Sequence, residues 1–142
     1  FCGAASALNL EYTLPNVSQS VIITRMAGRT PVLEKESIES FAKHQATMVV
    51  FLSTGLLEEL TKALLEGGYQ TDTPAAIVYK ATWEDEKKFI CTVGTLAEVA
   101  KRENITKTAL MIIGDVVNTN HYDRSKLYDP TFETMYRKAV QD

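Results

Sequence analysis

The fold is decided by Thr47-Met48-Val49-Val50-Phe51-Leu52-Ser53-Thr54-Gly55. The run from Thr47 to Leu52 is too continuously apolar for a half-exposed strand, which predicts a central strand covered on both faces. Ser53-Thr54-Gly55 interrupts this strand, and Gly67-Gly68 ends the helix that follows. The apolar face of that helix is formed by Leu56, Leu57, Leu60 and Leu64. The centre of the chain therefore predicts a strand, a tight turn and a helix.

Four further segments have the character of strands. Their β-branched or alternating apolar residues are Ser20-Val21-Ile22-Ile23-Thr24, Ala75-Ala76-Ile77-Val78-Tyr79, the alternating Phe89, Cys91 and Val93, and Ala109-Leu110-Met111-Ile112-Ile113. Helices separate most of the strands, while the third and fourth strands are close enough in sequence to form a hairpin. We therefore predict an α/β fold with a mixed five-stranded sheet flanked by helices.

The other helices are predicted from small residues, spacing and capping signals. Phe1–Leu10 suits a tightly packed helix, which Thr13–Asn16 ends because proline disfavours helix in the residue before it. Ile38, Phe41 and Ala42 recur at i, i+3 and i+4, which predicts a second helix. Thr95 and Glu98 have the spacing of a capping box, which predicts the start of another helix.

The composition is that of an ordinary globular domain. The 142 residues are 45% hydrophobic and 23% charged, which fits one domain and argues against disorder. No apolar run approaches the roughly 20 residues needed to cross a bilayer, so we expect no membrane insertion. The net charge of −3 argues against a nucleic-acid partner. Cys2 and Cys91 are too few for a disulfide framework or a zinc site, which predicts a cytoplasmic protein with reduced thiols.

Familiar catalytic signatures are missing from the sequence. There is no G-x-G-x-x-G fingerprint after a strand, no P-loop and no G-x-S-x-G elbow. His44 ends a predicted helix and His121 lies in a polar segment without a cysteine partner, so neither histidine predicts a metal or a hydrolytic centre. We therefore predict no catalytic side chain and no metal ligand.

Three segments leave predicted strands at the position where open α/β sheets bind ligands, beyond the carboxyl ends. They are Thr24–Pro31, with Arg25 and Arg29, then Phe51–Thr54, and Tyr79–Trp83. Arginine binds carboxylates with two parallel hydrogen bonds, so the first segment could hold an acidic ligand. Each segment also has a structural explanation, namely a solvated turn, a helix N-cap at the Ser-Thr pair, and a plain hairpin entry. Spacing alone leaves these alternatives open.

Three stretches of the sequence form distinctive motifs. Leu10–Val32 contains E-x-T-x-P-x-x-x-Q and T-R-x-x-G-R-T-P, Tyr79–Lys87 reads Y-K-A-T-W-E-D-E-K, and Arg124–Asp129 reads R-S-K-L-Y-D. In this order they resemble segments of the precorrin-4 and cobalt-precorrin-4 C11-methyltransferases, which are members of the tetrapyrrole methylase family. The second and third motifs also distinguish these enzymes from sister methylases that act on other ring positions.

The resemblance implies a two-lobed enzyme, usually a homodimer, that binds S-adenosylmethionine between an amino-terminal α/β lobe and a carboxy-terminal lobe. Its implied reaction is methylation of C11 of precorrin-4 or cobalt-precorrin-4, tetrapyrroles of cobalamin biosynthesis. Residues 1–142 would form a single carboxy-terminal lobe with a polar tail over 118–142, inactive without the amino-terminal lobe. Two alternatives are a non-catalytic binding or dimerisation module with the same fold, and a sister methylase acting on another ring carbon.

The resemblance also implies cofactor-binding positions. Leu52 falls where family members offer backbone groups to the adenine side of the cofactor, and Ser53 adjoins it. Ala81 falls where the backbone of a small residue contacts the nucleoside, and Thr82 adjoins it. These four residues are the expected cofactor-binding residues of the chain.

Arg25 and Arg29 lie in the T-R-x-x-G-R-T segment, and we expect them to pair with tetrapyrrole carboxylates. In the implied reaction an electron-rich ring carbon attacks a methyl group on a sulfonium cation, so alignment and shielding from water supply much of the acceleration. This chemistry explains why the sequence needs no catalytic triad.

Overall fold

Residues 1–140, which the computed structural model describes, contain one five-stranded sheet. Its strands are β1 (Val21–Arg25), β2 (Thr47–Phe51), β3 (Pro74–Tyr79), β4 (Lys87–Thr92) and β5 (Ala109–Ile113). They lie in the order β1-β2-β5-β3-β4. β1 and β2 pair in parallel, whereas the other neighbouring pairs, including the β3–β4 hairpin, are antiparallel. The predicted mixed sheet and its hairpin are confirmed.

The carboxyl ends of three strands meet at one edge of this sheet. β2 and β3 both run antiparallel to β5, which lies between them, so they point in the same direction. β1 is parallel to β2 and points with them. The three strands therefore end together at Arg25, Phe51 and Tyr79, and β5 begins beside them at Ala109. We call this side of the sheet the carboxyl edge.

Three helices cover one face of the sheet and enclose the larger core. They are α2 (Ile38–Ala42), α3 (Leu57–Glu66) and α4 (Leu96–Arg102). The largest fully buried side chains between these helices and the sheet are those of Met48, Leu60, Leu64, Ile77, Leu96, Met111 and Ile113. The predicted central position of β2 is confirmed, because Thr47 to Val50 are completely buried.

The opposite face of the sheet is covered by α1 (Cys2–Leu8) and the segment that follows it. Ala4 of α1 packs within a smaller core formed by Val49, Ala76, Val78, Leu110 and Ile112. Helix α1 ends at Asn9, which adopts a left-handed conformation with φ 50°. The Lys88 ammonium group on β4 donates a hydrogen bond to the Ala7 carbonyl and so ties this helix to the edge of the sheet.

The predicted capping box at Thr95 and Glu98 is wrong in position. Thr95 precedes α4 but makes no side-chain cap, whereas Thr92 and Thr95 form a reciprocal capping box around a 3-10 turn at Val93–Thr95. The Thr92 N–H donates to Thr95 Oγ1 at 3.0 Å. β4 runs directly into this turn, so the N–H groups that need capping occur one turn earlier than the helix spacing indicates.

Gly67 allows two helices to approach closely at the end of α3. A Cβ atom at this position would lie 2.8 Å from the Glu39 carbonyl oxygen and would also overlap the Ala42 methyl group of α2. Gly67 is buried, so neither helix can move away without opening the core. The predicted Gly67-Gly68 helix stop therefore also fixes the contact between α2 and α3.

We expect Gly67→Ala to lower the free energy of unfolding by about 1–3 kcal/mol, because the added methyl group overpacks a closed contact. Chemical denaturation followed by circular dichroism measures the change. Gly55→Ala is the matched control, since a Cβ there meets no atom within 4 Å. Equal denaturation midpoints for the two variants would contradict the proposed role of Gly67.

After Asn118 the chain is irregular as far as residue 140, apart from a short 3-10 turn at Lys126–Tyr128 and an isolated antiparallel bridge between Thr134 and Arg137. Most side chains of this segment are exposed. Residues 141 and 142 of the predicted 118–142 tail lie outside the described residues. Among the helices found in residues 1–140, none is long and apolar enough to cross a membrane.

Candidate ligand-binding site

The three segments singled out in the sequence all leave the carboxyl edge of the sheet. Two of them, Phe51–Thr54 and Tyr79–Trp83, meet at a cleft of about 390 Å³. The residues that line it are Phe1, Gly3, Ala4, Phe51, Leu52, Thr54, Val78, Lys80, Ala81, Thr82, Trp83, Thr108, Ala109 and Leu110. We call it the apolar cleft. It brings together Leu52, Ala81 and Thr82, three of the four expected cofactor-binding residues.

The backbone around the apolar cleft is unusually strained. Leu52, Lys80, Thr82 and Thr108 all have positive φ values, of 53°, 47°, 70° and 58°. In residues other than glycine this conformation is disfavoured by roughly 1–2 kcal/mol per residue, because the Cβ atom comes too close to the backbone. Such strain concentrates at ligand-binding positions, where the surrounding structure holds the backbone in place. Four residues with this conformation therefore lie together around one cleft.

The loop between β3 and β4 is held by a dense set of hydrogen bonds. The Lys80 N–H donates to the Thr108 carbonyl at 2.9 Å, which joins this loop to the start of β5. The Thr82 N–H donates to Glu86 Oε2 at 2.7 Å. The Lys80 ammonium group donates a hydrogen bond to the Asp85 carboxylate, and this contact raises the pKa of Lys80 and lowers the pKa of Asp85. The loop therefore has a fixed shape beside the cleft.

Ser53 differs from the other expected cofactor-binding residues. Its side chain is fully buried and does not belong to the lining of the apolar cleft. The Met26 N–H donates to Ser53 Oγ at 2.9 Å, and the Ser53 hydroxyl donates to the Phe51 carbonyl at 2.7 Å. A helix N-cap at Ser53 is therefore wrong, since no side-chain cap is made there. The hydroxyl instead joins the ends of β1 and β2.

We expect Ser53→Ala to lower the free energy of unfolding by about 1–3 kcal/mol, because it leaves the Met26 N–H without its acceptor. Ser20→Ala serves as the control, since Ser20 is exposed just before β1. Thermal unfolding by calorimetry compares the two variants. A melting temperature for Ser53→Ala as high as that of Ser20→Ala would show that the bridge is unimportant.

Arg25 lines a second cleft, of about 450 Å³, on the other side of Phe51. Its guanidinium group donates to the carbonyl oxygens of Met26 at 3.1 Å, Thr30 at 3.0 Å and Pro31 at 3.2 Å. Arg25 therefore shapes its own loop. Arg29 lies on the same loop, where it is exposed. Phe51 borders both clefts, so we call the second one the arginine cleft.

Apolar side chains around the two clefts are unusually exposed. The exposed fractions are 86% for Leu52, 60% for Trp83, 59% for Leu33 and 50% for Ile23. Large apolar groups in this number at one edge mark an interaction surface. The carboxyl edge is thus an open ledge and not part of a closed core.

Sequence reasoning missed two parts of the site. Thr108 precedes β5, an antiparallel strand whose amino end reaches the carboxyl edge, and the rule that ligands bind beyond strand carboxyl ends does not include such a position. Gly3 of α1 also lines the apolar cleft, and a Cβ there would lie 2.7 Å from Thr82 Cγ2. Among residues 1–140, no group of three or more potential metal-binding side chains is found.

Comparison with known proteins decides the family. The model of the family described as Tetrapyrrole (Corrin/Porphyrin) Methylases matches residues 1–97. The chain belongs to this family. The predicted membership of the tetrapyrrole methylases is therefore confirmed.

Curated relatives of this tetrapyrrole methylase match nearly all of it. Cobalt-precorrin-4 C(11)-methyltransferase of Methanocaldococcus jannaschii is 52% identical over 96% of this chain and 52% of its own length. The Priestia megaterium protein of the same name is 42% identical over 97% of the chain and 55% of its own length. Precorrin-4 C(11)-methyltransferase of a Sinorhizobium species is 36% identical over 96% of the chain and 54% of its own length. The chain spans about half the length of these relatives.

Solved structures agree with this assignment. The X-ray structure of a cobalt precorrin-4 methyltransferase superposes with a TM-score of 0.81 and 40% identity, covering 83% of this methylase chain and 49% of that one. A uroporphyrin-III C-methyltransferase of Thermus thermophilus, solved in complex with S-adenosyl homocysteine, gives a TM-score of 0.66 at 22% identity, over 82% of this chain and 48% of its own. The second likeness establishes the shared fold.

Proposed function

We propose that this chain is the carboxy-terminal half of an S-adenosylmethionine-dependent methyltransferase that methylates C11 of precorrin-4 or cobalt-precorrin-4 in cobalamin biosynthesis. The observation that carries the proposal is the 52% identity with the M. jannaschii enzyme over 96% of the chain. The active enzyme contains both halves, because the matched relatives are about twice as long.

The apolar cleft suits a nucleoside-sized ligand. Its volume of about 390 Å³ lies in the range of roughly 300–1,000 Å³ that is typical of small-molecule sites. The positive φ of Leu52, which lines the cleft, supports binding through main-chain groups there. When bound, S-adenosylmethionine supplies a methyl group activated by its sulfonium charge. Leu52, Ala81 and Thr82 would hold it, with Ser53 acting through the position of the neighbouring strand end.

The chain itself contributes position and exclusion of water. Lys80 is the one ionisable side chain in the lining of the apolar cleft, and it is paired with Asp85. Acid–base catalysis from this half of the enzyme is therefore not part of the proposal. Fixed orientation of two reactants can lower a barrier by roughly 7–11 kcal/mol. Phe51 and Leu52 supply the apolar wall that shields the reacting atoms.

The tetrapyrrole substrate is placed by its acidic side chains. The arginine cleft adjoins the apolar cleft through Phe51, so ligands in the two clefts lie next to each other. Arg29 is exposed on the rim loop, and Arg25 keeps that loop in shape through three carbonyl groups. We infer that Arg29 pairs directly with a substrate carboxylate, and that Arg25 presents the loop.

A second lobe completes the site. Exposed apolar side chains at the carboxyl edge, such as Leu52 and Leu33, would be covered by the other half of the protein. The half described here forms one wall of a shared pocket, and we expect the complete enzyme to be a homodimer located in the cytoplasm.

The decisive experiment incubates the full-length protein with methyl-labelled S-adenosylmethionine and either precorrin-4 or cobalt-precorrin-4. Mass spectrometry detects the added methyl group, and NMR assigns the carbon that carries it. Labelling of C11 is the expected result. Labelling of another ring carbon would identify a sister methylase, and binding of S-adenosylhomocysteine without any transfer would identify a non-catalytic module.

A further inference from the structure

Trp83 stands at the tip of the β3–β4 loop and lines the apolar cleft. Its side chain is 60% exposed although it is the largest aromatic group in the sequence and the only tryptophan. An indole ring exposed at the mouth of a cleft offers a flat apolar surface to a ligand.

The backbone of Trp83 is held by hydrogen bonds within its own loop, and its ring lies near a cation of the same loop. The backbone N–H of Trp83 donates to the Lys80 carbonyl at 3.0 Å, and the backbone N–H of Glu86 donates to the Trp83 carbonyl at 3.1 Å. The Lys80 ammonium group lies 5.3 Å from the centre of the indole ring and is itself anchored by Asp85. The loop therefore needs little rearrangement to present the indole ring to a ligand, which favours affinity.

The charges of the two clefts distinguish the ligands that they fit. In the apolar cleft the one ionisable side chain, Lys80, is neutralised by Asp85, so a ligand with many carboxylates finds no free cation there. The arginine cleft is lined by Arg25 and Glu36, whose charges offset each other, and Arg29 is exposed on the same loop as Arg25. An exposed cation for the carboxylates of the tetrapyrrole is therefore found on this loop and not in the apolar cleft. An uncharged flat group, such as a purine base, fits the apolar cleft better.

We propose that the indole of Trp83 is a stacking platform for the adenine ring of the methyl donor. This role rests on the proposed function and adds a ligand-binding residue to it. Ala81 and Thr82 directly precede Trp83 in the same cleft, so backbone contacts to the nucleoside and a stacked base come from one short loop. Stacking of a base on an aromatic side chain is strong enough to change affinity about tenfold or more.

The test titrates the full-length protein with S-adenosylhomocysteine by isothermal calorimetry. Trp83→Ala is expected to raise the dissociation constant about tenfold or more, while Trp83→Phe, which keeps a ring, loses less. Tyr136→Ala is the matched control, because Tyr136 is a 90% exposed aromatic residue outside both clefts. Ligand-induced quenching of tryptophan fluorescence is expected in the wild type and is expected to decrease in Trp83→Phe.

The outcomes separate this inference from the proposed function. Tight binding by the wild type with an unchanged dissociation constant in Trp83→Ala would overturn the stacking role and leave the methyltransferase proposal intact. If the wild type did not bind S-adenosylhomocysteine, both the stacking role and the methyltransferase proposal would be overturned. A loss confined to tetrapyrrole affinity would also overturn the stacking role, because the ring would then serve the other ligand. Unchanged melting temperatures for both Trp83 variants confirm that folding is not the cause.

Discussion

Replacing Leu52 by proline is expected to lower the affinity of the full-length protein for S-adenosylhomocysteine by about 100-fold or more, with a comparable loss of methyl transfer. Leu52 has a φ of 53°, whereas the proline ring fixes φ near −65°. The substitution therefore turns the backbone groups of this residue away from the apolar cleft. Calorimetric titration measures the affinity, and transfer of a labelled methyl group measures the activity.

Leu52→Gly is the matched control for this prediction. Glycine adopts positive φ without strain, so the backbone keeps its direction while the side chain is lost. Because Leu52 is 86% exposed, removing its side chain opens no core cavity. We expect Leu52→Gly to bind S-adenosylhomocysteine far better than Leu52→Pro. Equal losses in the two variants would show that the leucine side chain, and not the backbone, makes the contact.

The second large effect is expected from Arg29→Ala, which should raise the KM for the tetrapyrrole about 10- to 100-fold. Hydrogen bonds to charged groups contribute about 1.5–3 kcal/mol each, which corresponds to this change in affinity. Steady-state kinetics at saturating S-adenosylmethionine measures the KM. Affinity for S-adenosylhomocysteine should stay unchanged, because Arg29 does not line the apolar cleft.

Two controls separate the charge of Arg29 from the shape of its loop. Lys35→Ala removes another exposed cation close to the same loop and should leave the KM near that of the wild type. Arg25→Ala removes the group that binds three loop carbonyls, so it should affect the loop itself and lower stability as well. Retained substrate affinity in Arg29→Ala would dismiss the carboxylate contact.

A single side chain borders both clefts. Phe51, the last residue of β2, borders both the apolar cleft and the arginine cleft. A methyl donor and an acceptor bound on its two sides are neighbours, which is the arrangement that direct transfer requires. In the proposed function, Phe51 would therefore stand between neighbouring binding sites for the two reactants.

The sequence alone determined most of the strands and helices and the family. Strands β1, β2, β3 and β5 were readable because β-branched and apolar residues run together there, and α3 because its leucines recur on one helical face. These are local patterns, which depend on neighbouring residues in the chain. The distinctive motifs of the sequence indicated the family, which the family model confirms.

Only the tertiary structure decided which of these residues work together. The insertion of β5 between β2 and β3 brings Thr108 to the Lys80 loop, and the Ser53 hydroxyl turns out to bridge two strand ends and not to cap a helix. The guanidinium group of Arg25, which the resemblance leads us to expect beside a tetrapyrrole carboxylate, also binds three carbonyl groups of its own loop. Such contacts join residues far apart in the chain, and a short-range pattern cannot encode them. Their geometry follows from strand order and burial, which form only when the whole sheet has assembled.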